Sequence, residues 1–267
     1  MRQKINLSSN SVSKALKPLK ADLHTHTAED PRHQISYAAK DLISIAADEG
    51  YDVLAITNHQ CLTFSRKLHA YAKERGILLI PGMEVTLRRR HVVLLNPPSG
   101  KSFLDFSSLL AMQRPDALVL APHPYFPNPY SLNGLLLKHL RYFHAIEYCH
   151  FYSQGINFNQ MALRVSEAHG IPVVGNSDAH FLSQFGTTYS LIHAEKDPES
   201  IFRAIRDGRS EVVSRPLSPL EMGTLLGRFA GMKLLVEKNK RQKWLASRWA
   251  DRRLKSPFFS RRRSQSS

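Results

Sequence analysis

Amphipathic stretches in this chain alternate with short apolar runs, and that alternation restricts its fold more than any other feature. The helical patterns are Tyr37–Glu49, Leu62–Arg75, Ser102–Met112, Asn157–His169 and Pro198–Asp207. Four of the five stop at a glycine (Gly50, Gly76, Gly170, Gly208), the residue that takes positive φ without strain just past a last helical turn. Between them lie candidate strands: Lys20–His24, Asp52–Thr57, Ile77–Pro81, His91–Leu95, Ala117–Pro122, Ala145–Tyr148, Ile171–Gly175, Ser190–His193 and Glu211–Ser214. Repeated strand–helix units predict an α/β barrel or open sheet built around parallel strands, and argue against a helical bundle.

Its 267 residues suit one such barrel with tails. Two cysteines, Cys61 and Cys149, are too few for a disulfide framework and form no Cys-x-x-Cys pair. No run approaches the ~18 to 20 apolar residues of a membrane span. Residues 1–20 are basic, Ser-rich and acid-free, without the apolar centre of a secretion signal. A mitochondrial targeting segment looks similar, but a flexible arm and a cytoplasmic location are the simpler expectation. The net charge of +15 sits at the ends. Five Lys/Arg and no acid fall in residues 1–20, and thirteen Lys/Arg against three acids in residues 216–267, while the middle balances. The expected division is a basic arm (1–20), a central α/β domain (21–216), a basic helical extension (217–255) and a disordered tail (256–267).

Strand ends carry the chemistry. Asp22-Leu23-His24-Thr25-His26 closes the first strand with two imidazoles at i and i+2, on one face, a spacing that suits two ligands of one ion. Thr57-Asn58-His59, Gly82-Met83-Glu84, His91, Ala121-Pro122-His123-Pro124 and Asn176-Ser177-Asp178-Ala179-His180 follow at later strand ends. One histidine in such a place is usually a core or surface residue; six places in register are not. His69, His139, His144, His169 and His193 fall within helices or away from strand ends and receive no role, and His150 reads as structural. Mixed imidazole and carboxylate donors exclude a thiolate zinc site and suit Zn, Mn or Fe in an open site. Eight or nine ligands imply two or three divalent ions.

From about Ala21 to Pro216 these motifs, in order, resemble the polymerase and histidinol phosphatase (PHP) family of metal-dependent phosphoesterases. The resemblance rests on His-x-His, Thr-x-His, Gly-x-Glu, His-Pro and Ser-Asp-Ala-His. It implies a distorted (β/α)7 barrel, α/β in class, holding up to three ions. By position, His24, His26, Glu84 and Asp178 would hold the first ion, Glu84 would bridge to a second held by His91 and His123, and His59 and His180 would hold a third. Glu84, Asp178 and His123 would carry catalysis, hydrolysing a phosphate ester by metal-bound hydroxide.

Two places depart from the family pattern. The extra His or Asp after His-x-His is sought in Thr27-Ala28-Glu29-Asp30-Pro31-Arg32-His33, with His33 preferred and Asp30 the alternative. Asn58 stands where Asp is usual, which removes a charge beside the third ion. Arg88, Arg89 and Arg90, between Glu84 and His91, are the expected phosphate grip, with Arg32 second. Expected partners are a phosphorylated small molecule or nucleotide, and RNA, DNA or an anionic membrane along the C-terminal extension, where Trp244 and Trp249 interleave the cations. Competing readings are an amidohydrolase-like C–N or C–O hydrolase, which usually carries a bridging lysine where Glu84 stands here, and a non-catalytic nucleic-acid-binding protein.

Overall fold

The computed structural model describes residues 3–5, 17–232 and 234. The chain divides into two units, Met1–Met222 and Gly223–Ser267. Residues 219–232 are helical, within the expected Pro219–Glu237; the second expected helix, Asn239–Leu254, and the tail lie outside the described residues. No helix of the described residues is long and apolar enough to cross a membrane.

The first unit holds one sheet in the order β1–β10–β9–β2–β3–β4–β5–β6–β7–β8. Its strands are β1 (Gln3–Ile5), β2 (Leu19–Thr25), β3 (Val53–Ile56), β4 (Leu78–Leu87), β5 (Arg90–Leu95), β6 (Leu118–Ala121), β7 (Ala145–Cys149), β8 (Val173–Asn176), β9 (Thr188–Ile192) and β10 (Ser210–Ser214). All nine expected strands form. Gln3–Ile5, in the arm expected to be flexible, adds an antiparallel edge strand to β10.

The fold is α/β and barrel-like, but its strands are not all parallel. β2–β3–β4 and β6–β7–β8 pair in parallel, whereas β5 runs antiparallel to both β4 and β6, and β9 antiparallel to β2. The departure has a local cause. Only Arg88 and Arg89 separate Leu87 from its partner Arg90, so the arginine loop expected between the two strands is a two-residue hairpin that turns β5 back along β4. Both arginines take positive φ, 46° and 66°, as such a turn requires.

Alternation along the strands sorts the core into layers. Val53, Ala55, Val93, Leu95, Leu118 and Leu120 fill the barrel interior, while Leu54 and Ile56 pack outward under α1 (Ala39–Asp48) and α2 (Arg66–Glu74). α3 (Gly134–His139) and α4 (Asn159–His169) lie over the β6–β8 side, Leu136 and Ala162 joining the cluster around Val119 and Ala121. α3 escapes the sequence reading because its Leu135-Leu136-Leu137 run carries no helical period. α5 (Pro198–Arg206) is capped by Asp197, which accepts from Ser200 N at 2.9 Å. It adds Ile201, Phe202, Ala204 and Ile205 to the interior cluster. Its Arg206 donates to the carbonyls of Arg114, Pro115 and Ala117, just before β6, so the helix lies across the barrel floor.

The stretch expected to be helical at Ser102–Met112 is a 3-10 helix over Phe106–Met112. Ser107 and Ser108 hydroxyls bond back to Asp105 at 2.7 and 2.5 Å, competing with the α-helical ladder.

Closure comes at β8. Ser190 Oγ accepts from Gly175 N (2.9 Å) and donates to Gly175 O (3.0 Å), and Thr25 bridges Ala179 in parallel. A Cβ at Gly175 would stand 2.9 Å from Tyr189 O and 2.8 Å from Val212 Cγ1, so only glycine lets β8 approach this closely. The strand ends that carry the histidines are thereby gathered at one mouth.

Candidate metal centre

His24 lies near the end of β2 and His26 just past it, His59 follows β3, Glu84 lies in β4 and His91 in β5; His123 follows β6, and Asp178 and His180 follow β8. Among the described residues, groups able to share an ion are His24/His26/Glu84, His59/Glu84/His91, His26/His59/His180 and Asp30/His33/His59. The structure thus gathers all nine expected ligands in one cluster. All but His33 and Asp178 are buried.

Four imidazoles are set by the same device. His24 Nδ1 donates to Glu147 Oε2 at 2.7 Å, His26 Nδ1 to Asp30 Oδ2 at 2.9 Å, His59 Nδ1 to the same oxygen at 2.7 Å, and His180 Nδ1 to Asp178 O at 3.0 Å. Each bond settles the tautomer and leaves the Nε2 lone pair facing inward, as metal-binding histidines require.

Those nitrogens meet carboxylates at ligand spacing. His26 Nε2 is 3.2 Å from His24 Nε2, 3.2 Å from Asp178 Oδ1 and 3.5 Å from Glu84 Oε2; His24 Nε2 is 3.4 and 3.7 Å from the same two oxygens. Donors about 2.0–2.2 Å from one tetrahedral ion are themselves roughly 3.3–3.6 Å apart. Glu84 reaches both ways, its Oε1 lying 2.7 Å from His91 Nδ1 and 3.5 Å from His123 Nε2. Glu84 Oε1 and Asp178 Oδ1 are buried and, although imidazole nitrogens lie 2.7 to 3.5 Å away, accept no well-directed hydrogen bond among the described residues. Buried carboxylate oxygens without a donor are costly unless a cation takes the donor's place, so the residues fit divalent ions.

Charge follows the same plan. Burial opposes ionisation of Glu84, yet His91, His59 and His24 hold its carboxyl well below the usual range. Burial likewise pulls His59 down, but Glu84 and Asp30 outweigh it and raise the imidazole to about 9. His33, half-buried beside His59 and His26, is lowered by that partial burial and by the two neighbouring imidazoles to about 4. Its Nδ1 faces His180 Nε2 at 2.9 Å.

Asp30, the alternative to His33, also braces the site. Its Oδ2 takes His26, His59 and the His59 N–H, and its Oδ1 takes the N–H groups of Arg32 and His33. It orients two histidines and the loop together. Asn58 does not face the cluster: Oδ1 accepts from Thr27 N, and Nδ2 donates to Thr27 Oγ1 and Thr63 Oγ1. Its amide ties two strand-end loops, which is why the missing charge leaves the ligands in place.

Arg32 is the arginine at the cluster, donating to Thr86 Oγ1 (3.0 Å) and His91 Nε2 (3.4 Å). Arg90 donates instead to Pro129 O and Ser131 O, and Arg88 and Arg89 sit exposed at the hairpin tip, where the Arg88 charge acts on Asp105 and His139.

Two residues escaped the sequence reading. Glu147 is fully buried and holds His24, the His123 N–H and Asn176. Its signal was there: a lone carboxylate inside the apolar run Ala145–Cys149 must have a polar partner. Gln184 bonds the His180 and Phe181 N–H groups and donates to His150 Nε2 at 2.8 Å, so buried His150 joins the rim. His123 (φ 30°) and Asp178 (φ 46°) hold left-handed backbone, a strain that concentrates at functional sites.

Comparison with known proteins agrees with this architecture. The family model described as PHP-associated matches residues 157–210. An uncharacterised protein of Methanocaldococcus jannaschii is 25% identical over 127 residues, covering 41% of this chain and 70% of that protein. A two-domain protein from Bacteroides vulgatus, containing a predicted PHP-like metal-dependent phosphoesterase, superposes with a TM-score of 0.56 at 19% identity, over 74% of this chain and 65% of its own. PsfC from Pseudomonas syringae gives 0.55 at 17% identity, over 82% and 100%. The lesion-specific endonuclease EndoQ from Pyrococcus furiosus gives 0.52 at 17% identity, over 73% and 57%. The chain therefore spans about two thirds or less of the first and third of these structures. The ordered strand-end motifs, the barrel-like fold and the match over residues 157–210 together support a domain of the PHP type.

Proposed function

We propose that the chain is a metal-dependent phosphoesterase that hydrolyses a phosphate ester. The observation that carries this reading is the pair of buried carboxylate oxygens, Glu84 Oε1 and Asp178 Oδ1, that lie among inward-facing imidazole nitrogens and accept no well-directed hydrogen bond among the described residues. His24, His26, Glu84 and Asp178 would hold one ion, Glu84, His91 and His123 a second, and His33, His59 and His180 a third, with Zn, Mn or Fe suited to these donors. Divalent ions bound there would supply hydroxide at neutral pH and neutralise charge on the phosphoryl oxygens. The chain's own residues do the rest. Glu84 spans two ligand groups with its two oxygens, Glu147 and Asp30 keep three imidazoles in the binding tautomer, and Arg32 places a guanidinium on the Glu84–His91 side to meet a phosphate oxygen.

The solved structures whose names include a phosphoesterase and an endonuclease favour phosphate esters over the C–N bonds of an amidohydrolase. The test is to strip the purified protein with chelator, reload it with Mn or Zn, and assay a panel of phosphate mono- and diesters alongside metal analysis. At least two ions per chain and metal-dependent phosphate release are expected. Full occupancy without turnover of any ester would refute the reading.

A further inference from the structure

One aromatic side chain at the mouth is exposed, rigid and attached to the cluster. The Tyr130 ring, 41% exposed, lies parallel to His91 at a centroid distance of 4.6 Å and 16°. His91 in turn touches Glu84. The backbone locks this contact in register, because Tyr130 O accepts the His91 N–H at 2.9 Å.

The loop beneath the ring is braced from both sides. Asn128 Oδ1 accepts the N–H groups of Tyr130 (2.7 Å) and Ser131 (2.9 Å). Arg90 donates to Pro129 O (2.7 Å) and Ser131 O (3.0 Å). Arg90, expected to grip phosphate, therefore latches the loop that carries Tyr130. The Arg32 guanidinium lies 5.9 Å from the same ring.

An exposed tyrosine usually moves freely and packs on nothing. Here three residues hold its backbone and a histidine backs one face of the ring, leaving a flat apolar surface fixed beside a cation and a carboxylate–imidazole cluster. A planar ring on a phosphate ester matches that arrangement: the base lies on the aromatic face and the phosphate meets the guanidinium and the ions. A small alkyl phosphate such as glycerol phosphate has no flat face to lay on the ring. Every nucleobase has a stacking face, so such a platform is tolerant of base identity.

Resting on the phosphoesterase reading above, we infer that Tyr130, backed by His91 and flanked by Arg32, is a stacking platform for the nucleobase of the substrate, which is a nucleotide or the terminal nucleotide of an oligonucleotide.

The test compares adenosine monophosphate, a 5′-phosphorylated dinucleotide and glycerol phosphate on the metal-loaded protein, wild type against Tyr130→Ala and Tyr130→Phe. Stacking is worth about 1–3 kcal/mol per base, so Tyr130→Ala should raise KM for the adenine esters roughly 5- to 150-fold, leave glycerol phosphate unchanged and spare kcat; Tyr130→Phe should behave as wild type. The ratio between mono- and dinucleotide tells which source the site prefers. An equal loss on glycerol phosphate, or none on either adenine ester, overturns the inference. Calorimetric titration with uncharged adenosine separates it from the phosphoesterase reading. Adenosine binding that Tyr130→Ala abolishes, in a protein that cleaves no ester, keeps the platform and removes the hydrolase; ester cleavage with no adenosine binding does the reverse.

Discussion

Glu147 Oε2 lies 2.7 Å from His24 Nδ1, and both side chains are fully buried. The carboxylate holds the imidazole with Nε2 inward and also takes the His123 N–H and Asn176 Nδ2, so one residue positions two of the expected ligands. Outer carboxylates of this kind are typically worth 10- to 100-fold in metal affinity. Glu147→Gln should weaken metal binding by about that factor while keeping the fold. Competition with a chromogenic chelator measures it, and unchanged affinity would show that Glu147 is only a core residue.

Asp178 supplies a buried oxygen that accepts no well-directed hydrogen bond among the described residues and sits at φ 46°, a backbone that Asn tolerates and Ala does not. Asp178→Asn therefore tests the chemistry without disturbing the turn, and Asp178→Ala tests it with that strain added. Both should reduce phosphate-ester hydrolysis at least about 100-fold and lower metal content, with the Asn variant melting close to wild type. Metal-stimulated turnover retained in either variant would sink the assignment.

How much of this was legible beforehand depends on range. His24, His26, His59, Glu84, His91, His123, Asp178 and His180 each announce themselves locally, as a ligand type at the end of an apolar run, and the fold brings them together because strand ends share one mouth. The antiparallel β5 was hidden because Arg88 and Arg89 are not the Asn-Gly pair that advertises a two-residue hairpin. Glu147 was hidden for a different reason. Its task is set by the ring nitrogen it faces across the barrel, and spacing along the chain carries no trace of a partner 123 residues away. The partners of Asn58, Thr27 and Thr63, are likewise visible only once the loops are folded together.

Closure of the barrel depends on Gly175. Its backbone runs so close to β9 that Ser190 Oγ bonds both its N–H and its carbonyl, and an added Cβ would meet the Tyr189 carbonyl oxygen at 2.9 Å. Backbone cannot rotate away as a side chain does. Gly175→Ala should destabilise the protein by about 1–3 kcal/mol, the usual range for overpacking, seen as a lower urea midpoint. Ala at Gly100, where a Cβ meets nothing but φ is 70°, gives the comparison for positive φ without a clash. A larger loss there than at Gly175 would argue against closure as the cause.

On the floor of the barrel, His144 offers a test of acid sensitivity far from the ligands. Its Nδ1 accepts the Val119 N–H at 3.0 Å and its Nε2 meets Gln113 Oε1 at 3.1 Å. Burial, with the Arg206 charge adding, lowers this imidazole from 6.5 to about 4. Between those values the unfolded chain carries the proton and the folded chain does not, so stability rises with pH through the window and is lost as pH falls from about 6.5 towards 4. His144→Asn can still accept from Val119 but does not titrate. Urea unfolding of both proteins at pH 7 and pH 5 isolates the contribution, because the other buried histidines are common to both. Wild type should lose about 1–2 kcal/mol more than the variant over that step. Parallel losses in the two proteins would mean that His144 is not held neutral by its surroundings, and that acid sensitivity resides in the cluster at the opposite end of the barrel.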